Sequence, residues 1–223
     1  MKTFDWEIRL CENPDCGLRF PIEEGHPDGQ RCPLCLGATM KVLAYSAVEE
    51  SQRQLRFSHP ILVSGLLDNI RSTWNVGSIF RTSEGLGASH LYLTGITPTP
   101  DTANLSKTAL GAESSVAWSY HRNAVTLAER LSQEGHSLWA LETNSRAKPL
   151  SHIEQYLAST VHSKEIILVM GNERAGVDPG LLDQCHETFF IPMHGRKNSY
   201  NVSVAYGIAL GLIRIFGGTE SNK

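Results

Sequence analysis

The stretch NVSVAYGIALGLIRIF, residues 201–216, is the part of this sequence that decides the fold. A helix that crosses a bilayer needs roughly 20 apolar residues, and this run is shorter and is interrupted near its end by Arg214. It follows Ile-Pro-Met at 191–193, and the polar residues Ser199 and Asn201 stand at its start. The pattern therefore predicts a buried helix whose first turn faces a site, and it gives no sign of a membrane span.

The composition is that of an ordinary globular protein: 223 residues, 41% hydrophobic and 19% charged. A chain of this length can enclose one sizeable core and a small appendage. The N-terminal MKTFDWEIRL lacks the apolar stretch of a secretion signal, so we expect a cytoplasmic protein that contacts no membrane. A net charge of −3 offers no general attraction for nucleic acid, so any phosphate-binding surface must be a local patch.

Strand-like and helix-like segments alternate from residue 61 to the C-terminal region. This alternation predicts an α/β fold with a mainly parallel sheet that helices cover on both faces. Ligands of parallel sheets bind beyond the carboxyl ends of the strands, where this sequence places polar residues such as Asn69, Asn144 and Asn172. The predicted strands are 61–66, 90–94, 116–120, 138–141, 165–170 and 188–191, and the predicted helices are 76–86, 104–109, 123–133, 180–184 and 201–216.

Four of the five cysteines form two close pairs, Cys11-x4-Cys16 and Cys32-x2-Cys35. Two such pairs can present four thiolates tetrahedrally, which is the arrangement that Zn²⁺ prefers in closed structural sites. We expect a zinc-ribbon-like segment over residues 1–45, because so short a segment has little apolar core without a metal. Two disulfides and a redox-active Cys-x-x-Cys are the alternatives. The lone Cys185 is interpreted as a small, buried apolar residue.

Residues 46–58 have a helical composition that His59-Pro60 brings to an end. We therefore predict a helical linker there, followed by the main domain over residues 59–223. The role of the ribbon is left open, since it can bind RNA, contact a partner subunit or cap the fold.

Three segments of the main domain mix glycine, amide and charged residues: 69–87, 169–176 and 191–201. By pattern alone, Asn75 is interpreted as the N-cap of a helix and Arg81 as a solvated surface residue. Asn201 is interpreted in the same way as the N-cap of the last helix.

The segment 171–176 spaces two glycines as a P-loop does. It is not a nucleoside-triphosphate loop, because Val177-Asp178 stands where that motif needs Lys-Ser/Thr. Gly171 is expected to let the backbone approach a planar ligand. Glu173 has two readings, as a catalytic group or as an acceptor for buried backbone N–H groups.

Taken in this order, the three segments resemble the three motifs of the SpoU/TrmH branch of the SPOUT RNA methyltransferases, from His59 to the C-terminal helix. The N-x-G-x-I-x-R-T form of residues 75–82 belongs to the ribose-methylating members. The resemblance implies a trefoil knot in the C-terminal segment, which creates a pocket for S-adenosylmethionine. The cofactor contacts that it implies are Thr143, Gly171, Ile191, Met193 and Tyr200, the last standing where leucine is common.

The resemblance also implies catalytic roles for Asn75, Arg81, Glu173, Ser199 and Asn201. A guanidinium does not deprotonate in proteins, so we interpret Arg81 as a cation that stabilises the developing 2′-alkoxide. The basic run at 194–198, with Arg146 and Lys148, is either a set of phosphate contacts or plain solvated surface.

The function implied is methyl transfer from S-adenosylmethionine to a ribose 2′-hydroxyl of tRNA or rRNA. A homodimer with its active site near the subunit interface is implied as well, with Zn²⁺ in a structural role only. The alternatives are a catalytically inactive RNA-binding protein on the same scaffold and a SPOUT enzyme that methylates a base. The presence of all five catalytic residues favours an active ribose methyltransferase.

Overall fold

A computed structural model describes residues 3–48, 61–102, 104–157, 160 and 163–217. The chain divides into two compact units, Met1–Arg56 and Phe57–Lys223. Each unit has its own sheet, and the two are described separately.

The N-terminal unit is a three-stranded antiparallel sheet with strand order β2-β1-β3. Its strands are β1 (Thr3–Cys11), β2 (Arg19–Glu23) and β3 (Thr39–Val48). The turn after each cysteine pair contains a residue with positive φ, Gly17 and Leu36. The linker prediction is wrong at its start, because residues 46–48 continue β3 along its pairing with β1. The rest of the predicted linker helix, from residue 49, lies outside the described residues.

The second unit contains a seven-stranded sheet with the order β6-β5-β4-β9-β7-β10-β8. Every strand pairing in it is parallel, which confirms the predicted α/β fold. The strands are β4 (Val63–Asp68), β5 (His90–Thr94), β6 (Ala117–His121), β7 (Ser137–Leu141), β8 (Lys148–Pro149), β9 (Ile166–Met170) and β10 (Glu187–Phe190).

The helices of this unit follow the predicted alternation with the strands. They are α1 (Thr73–Gly85), α2 (Leu105–Ala109), α3 (Ala124–Gln133), α4 (Ile153–Leu157), α5 (Pro179–Leu182) and α6 (Val202–Gly217). Sequence patterning missed β8 and α4, because elements of two and five residues are too short to show a period.

Two apolar layers enclose the sheet, and alternate residues of each strand enter opposite layers. In β9, Ile166 and Leu168 pack in one layer, which includes residues of α1, α2, α4 and α6. Ile167 and Val169 pack in the other, which includes residues of α3 and α5. A strand buried on both faces has no polar alternation, which is why β9 reads as a continuous apolar run.

Helix α6 is fixed against the sheet and against α1 by polar groups within its apolar sequence. The Arg214 guanidinium donates to the carbonyl oxygens of Leu86 and Ile61 at 2.8 and 2.7 Å, and also to that of Gly87. The charge that interrupts the apolar run thus satisfies carbonyl groups at the C-terminal end of α1. Among the described residues, no helix has the length and apolarity that crossing a membrane requires. The knot stays a prediction.

Candidate functional site

A cleft of about 300 Å³ opens at the carboxyl ends of β7, β9 and β10, beside the first turn of α6. This is the edge at which parallel sheets bind ligands. The five predicted cofactor contacts all line it, together with three of the predicted catalytic residues: Thr143, Gly171, Ile191, Met193, Tyr200, Glu173, Ser199 and Asn201.

The loop after β9 holds its own shape through backbone contacts. Asn172 and Gly176 exchange two N–H···O bonds of 2.9 Å, and the Asn172 side chain accepts from the N–H groups of Arg174 and Ala175. A Cβ on Gly171 would lie 2.3 Å from the Gly176 carbonyl carbon. The close packing of the loop on itself therefore requires glycine at 171, and since Gly171 also lines the cleft, its contact with a ligand stays a prediction.

Glu142 also lines the cleft, and the sequence analysis did not predict it as a site residue. Its carboxylate accepts from the N–H groups of Val177 and Thr143 at 2.9 and 2.8 Å. It thereby ties the end of β7 to the loop after β9 across the cleft. An acidic residue directly after a buried strand was the available signal, since a carboxylate there suits free backbone donors.

Glu173 accepts hydrogen bonds from the start of α1. Its carboxylate receives the N–H groups of Arg71 and Ser72 at 3.0 and 3.1 Å and the Asn75 side-chain amide at 2.9 Å. Partial burial by itself would raise the pKa of Glu173, but these hydrogen bonds outweigh it and hold the pKa below its ordinary value. Glu173 thus accepts from backbone N–H groups, as one of its two readings expects, and its catalytic role stays a prediction.

Asn75 lies inside α1, which corrects its prediction as the N-cap. The cap is Ser72, whose hydroxyl accepts from the Asn75 N–H at 3.4 Å. The Asn75 side chain instead bridges two motifs: it donates to Glu173, and its oxygen accepts from the Asn201 amide at 3.0 Å.

Asn201 joins this network and also caps α6, as the sequence predicted. Its side-chain oxygen accepts from the N–H of Ser203 at 2.9 Å, and its carbonyl accepts from the N–H of Ala205. One chain of hydrogen bonds, Glu173 to Asn75 to Asn201, therefore connects all three motifs at the edge of the cleft.

Arg81 does not line the cleft. It is exposed on the face of α1 that also carries Trp74, Ser78 and Gly85, at the spacing of residues on one side of a helix. Within the described part of the chain its guanidinium makes no hydrogen bond or ion pair. The structure thus brings together Asn75, Glu173, Ser199 and Asn201, and leaves Arg81 on an open surface.

The predicted basic residues divide into two groups. Lys148 pairs with Glu187 at 2.6 Å and lies over the ring of Tyr156, and Arg146 pairs with Asp183 at 3.7 Å. Arg196 and Lys197 are exposed next to the cleft. The run at 194–198 is therefore the part of the predicted patch that is available to a phosphate.

The four N-terminal cysteines come together in the first unit. Their sulfur atoms all lie within 4.8 Å of one another, and the pairs Cys11–Cys35 and Cys16–Cys32 are 3.4 and 3.7 Å apart. These distances exceed the disulfide bond of about 2.0 Å. They suit thiolates about 2.3 Å from a shared Zn²⁺, which stand roughly 3.8 Å apart in a tetrahedron. A Cys₄ donor set of this shape can hold a metal.

Cys185 lies apart from this cluster, on the second unit. It is half-buried, and burial raises the pKa of its thiol to about 12. Its sulfur contacts the Leu181 carbonyl oxygen at 3.3 Å. A protonated, packed thiol matches the prediction of a small apolar residue.

Residues 63–211 match the model of the SpoU rRNA Methylase family. A 23S rRNA (guanosine(2553)-2'-O)-methyltransferase RlmP of Bacillus subtilis is 27% identical over 149 residues, which cover 67% of this chain and 56% of that protein. A 23S rRNA (guanosine-2'-O-)-methyltransferase RlmB of Vibrio vulnificus is 30% identical over 155 residues, 70% of this chain and 59% of that protein. The chain thus spans less than two thirds of the length of these relatives.

Solved structures show the same fold. An AdoMet-bound rRNA methyltransferase from Sinorhizobium meliloti has a TM-score of 0.60 and 26% identity, covering 69% of this chain and 56% of that one. The A. aeolicus TrmH/SpoU tRNA modifying enzyme has a TM-score of 0.58 and 24% identity, covering 70% and 75%. The family match includes the three motifs and every strand of the sheet, from β4 to β10. The chain therefore belongs to the SpoU rRNA methylase family.

Proposed function

We propose that this protein transfers a methyl group from S-adenosylmethionine to a ribose 2′-hydroxyl of rRNA or tRNA. The observation that carries the proposal is the cleft, which all five of the predicted cofactor contacts line. The names of the Bacillus and Vibrio relatives as guanosine 2′-O-methyltransferases and of the Sinorhizobium protein as AdoMet-bound support the same reaction.

The residues of the cleft fit this cofactor. Apolar side chains, among them Leu141, Ile191 and Val202, offer surfaces to an adenine ring, and backbone groups of the loops lie beside them. Small-molecule sites commonly combine an apolar lining with a few placed polar groups. S-adenosylmethionine supplies, when bound, an electrophilic methyl group on a positively charged sulfur.

The chain's own residues then orient and activate the hydroxyl. The 2′-oxygen would form its bond to the methyl carbon as the carbon–sulfur bond breaks, S-adenosylhomocysteine would be the leaving group, and the hydroxyl proton would pass to water. The network of Glu173, Asn75 and Asn201 positions the first turn of α6 and so the polar groups beside the reacting centre. Arg81 stabilises the negative charge that develops on the 2′-oxygen.

Arg81 needs a second subunit for this role. On one chain it is exposed, and water weakens the field of an exposed cation. The helices α1 and α6 also expose large apolar side chains: Trp74, Val204, Ile215 and Phe216. We therefore infer a homodimer in which this surface is covered and Arg81 approaches an active site at the interface.

Zn²⁺ is the metal that we propose for the cysteine cluster. Four thiolates at tetrahedral spacing form a closed donor set, so the ion has no open position for chemistry and serves to hold the turns of the ribbon. Methyl transfer requires no metal.

Arg81→Ala is expected to lower methyl transfer about 100- to 1,000-fold, because one preorganised charge is lost from the transition state. Binding of S-adenosylhomocysteine should stay unchanged, since that ligand develops no alkoxide. Arg81→Lys should rescue poorly, because an ammonium lacks the planar fork of donors. The rate is measured as tritiated methyl transfer to unmodified rRNA and tRNA transcripts. The affinity for S-adenosylhomocysteine is measured by calorimetry.

The matched control is Arg130→Ala, which removes an exposed arginine of α3 that pairs with Glu134 at 3.8 Å. Near wild-type turnover of Arg81→Ala would contradict its catalytic role. A wild-type protein that binds RNA but transfers no methyl group would favour a catalytically inactive RNA-binding protein. A methyl group found on a base would favour a SPOUT enzyme that methylates a base.

Glu173→Gln is expected to lower the unfolding midpoint near neutral pH, because an amide accepts the three hydrogen bonds less well than a carboxylate. The folded pKa lies below the ordinary value of 4.5, so this contribution is present above that pH and is lost as the pH falls through the folded pKa. The difference in unfolding midpoint between the wild type and Glu173→Gln should therefore shrink as the pH is lowered. Thermal unfolding measured from pH 7 to about pH 3 tests this. Glu84→Gln, at an exposed site on α1, is the control, and a pH-independent difference would refute the account.

Wild-type protein is expected to have twice the monomer mass in sedimentation equilibrium. The double variant Val204→Glu, Ile215→Glu should be monomeric, because it brings unpaired charges into an apolar interface. Leu62→Glu, at a comparably exposed leucine outside the two helices, should remain dimeric. A monomeric wild-type protein would disprove the dimer.

Elemental analysis is expected to find one zinc per chain in freshly purified protein. The variants Cys16→Ser and Cys32→Ser should lose it, because each removes a ligand from a closed shell. Cys185→Ser should retain it, since this thiol lies in the second unit. Wild-type protein without zinc, or with cysteine pairs oxidised to disulfides, would exclude the assignment.

A further inference from the structure

A shallow depression lies at the same edge of the sheet as the cleft, at the ends of β5 and β6. The loop after β5 forms one wall, and two aromatic residues of β6 form the other. Its position is set by strand order: β6 and β5 are separated from β9 by β4. Neighbouring strands are about 4.8 Å apart, so the depression lies on the order of 10–15 Å from the cleft.

The aromatic residues present partly exposed rings. Tyr120 is 46% exposed, and its hydroxyl donates to the Gly95 carbonyl oxygen at 2.8 Å, which fixes the ring in place. Trp118 is half-buried two residues earlier, on the same side of the strand, and Ile96 is 65% exposed on the facing loop. A fixed aromatic ring beside apolar surface is the platform on which proteins stack unpaired RNA bases.

The depression and the cleft are joined by a rigid set of loops. The Asn69 side-chain oxygen accepts from the Ile96 N–H at 3.2 Å, and the Asn172 amide donates to the Asn69 carbonyl at 2.7 Å. Gly95 has a φ of +61°, and a Cβ there would lie 2.1 Å from the Asn69 side-chain oxygen. These contacts hold the wall of the depression in a fixed position relative to the loop that borders the cleft.

A cation lies between the two sites. Arg71 follows β4, the strand that separates β5 from β9, and its N–H is held by Glu173. Its side chain is exposed and makes no ion pair within the described ranges. Arg174, also exposed, lines the cleft itself. A strand of RNA that runs from the cleft to the depression passes these two charges, which suit its phosphates.

We propose that this depression stacks a nucleobase of the RNA substrate on Tyr120 and Trp118, at a nucleotide near the methylated one. Arg71 contacts the phosphate backbone between the two nucleotides. The proposal rests on the proposed function, because its occupant is the RNA that the cleft methylates. It assigns these residues to substrate recognition, and none of them to the chemical step.

The test uses fluorescein-labelled single-stranded RNA decamers of each base and an abasic decamer of equal charge. Tyr120→Leu should weaken binding of at least one base-bearing decamer about 5- to 150-fold, the range measured for loss of one base–aromatic stack. Affinity for the abasic decamer should not change. Tyr120→Phe should weaken binding of the base-bearing decamers far less than Tyr120→Leu does, because it keeps the ring and loses only the hydrogen bond to Gly95.

Arg71→Gln should weaken binding of base-bearing and abasic decamers alike and reduce the salt dependence by about one released counterion. Arg130→Gln makes an equal change of charge on α3, and it should leave the affinity for the decamers and its salt dependence unaltered. Equal affinities of wild type and Tyr120→Leu, or no binding of base-bearing decamers by the wild type, would overturn the proposal. A change of mass in Tyr120→Leu without a change in RNA binding would assign the depression to a second copy of the chain.

Methyl transfer by the wild type separates the two proposals. Stacking that depends on Tyr120 without any methyl transfer would refute the proposed function and leave the base platform standing. Methyl transfer with binding that is independent of Tyr120 would refute the platform alone.

Discussion

The carboxylate of Glu173 is the group on which the arrangement of the site depends. It receives three hydrogen bonds from residues about a hundred positions earlier in the chain, two from backbone N–H groups at the start of α1 and one from Asn75. A negative charge at this point also complements the positive end of the helix dipole. Without that acceptor, the first turn of α1 would present unpaired donors beside the cleft.

From Glu173 the constraint extends through Asn75 to Asn201, and from Asn201 into the first turn of α6. The far end of α6 is held separately, by the Arg214 guanidinium on carbonyl groups beyond α1. Both ends of α6 are therefore fixed by hydrogen bonds, and its apolar length fills the layer between them. Preorganisation of this kind places polar groups without a cost at the moment of reaction.

The same edge of the sheet accounts for both proposed RNA contacts. Parallel strands end together, so the loops after β4, β5, β7, β9 and β10 share one surface. Arg71 stands on this surface, and Glu173 bonds its backbone N–H, so the group that organises the site also fixes the point from which the Arg71 side chain extends. The proposed recognition and the proposed catalysis on this edge would therefore depend on one set of hydrogen bonds.

The sequence by itself determined the parallel α/β fold, most of its elements, the cysteine cluster and the set of residues around the cleft. The fold, its elements and the cysteine cluster follow from local patterns such as the apolar run of β9 and the paired cysteines, and the residues around the cleft follow from the resemblance of three motifs to a known family. Tertiary structure alone decided how the polar residues are used. Ser72 rather than Asn75 caps α1, Gly171 packs against the backbone of its own loop, and the Glu142 carboxylate joins the end of β7 to the loop after β9. The Glu142 carboxylate accepts from Val177, 35 residues away, and Asn75 bonds to Glu173 and Asn201, 98 and 126 residues away, so no local pattern contains these partners. Pattern alone predicts Arg81 as a surface residue, and the packing of α1 on α2 and α6 is the physical reason that its face of the helix remains open.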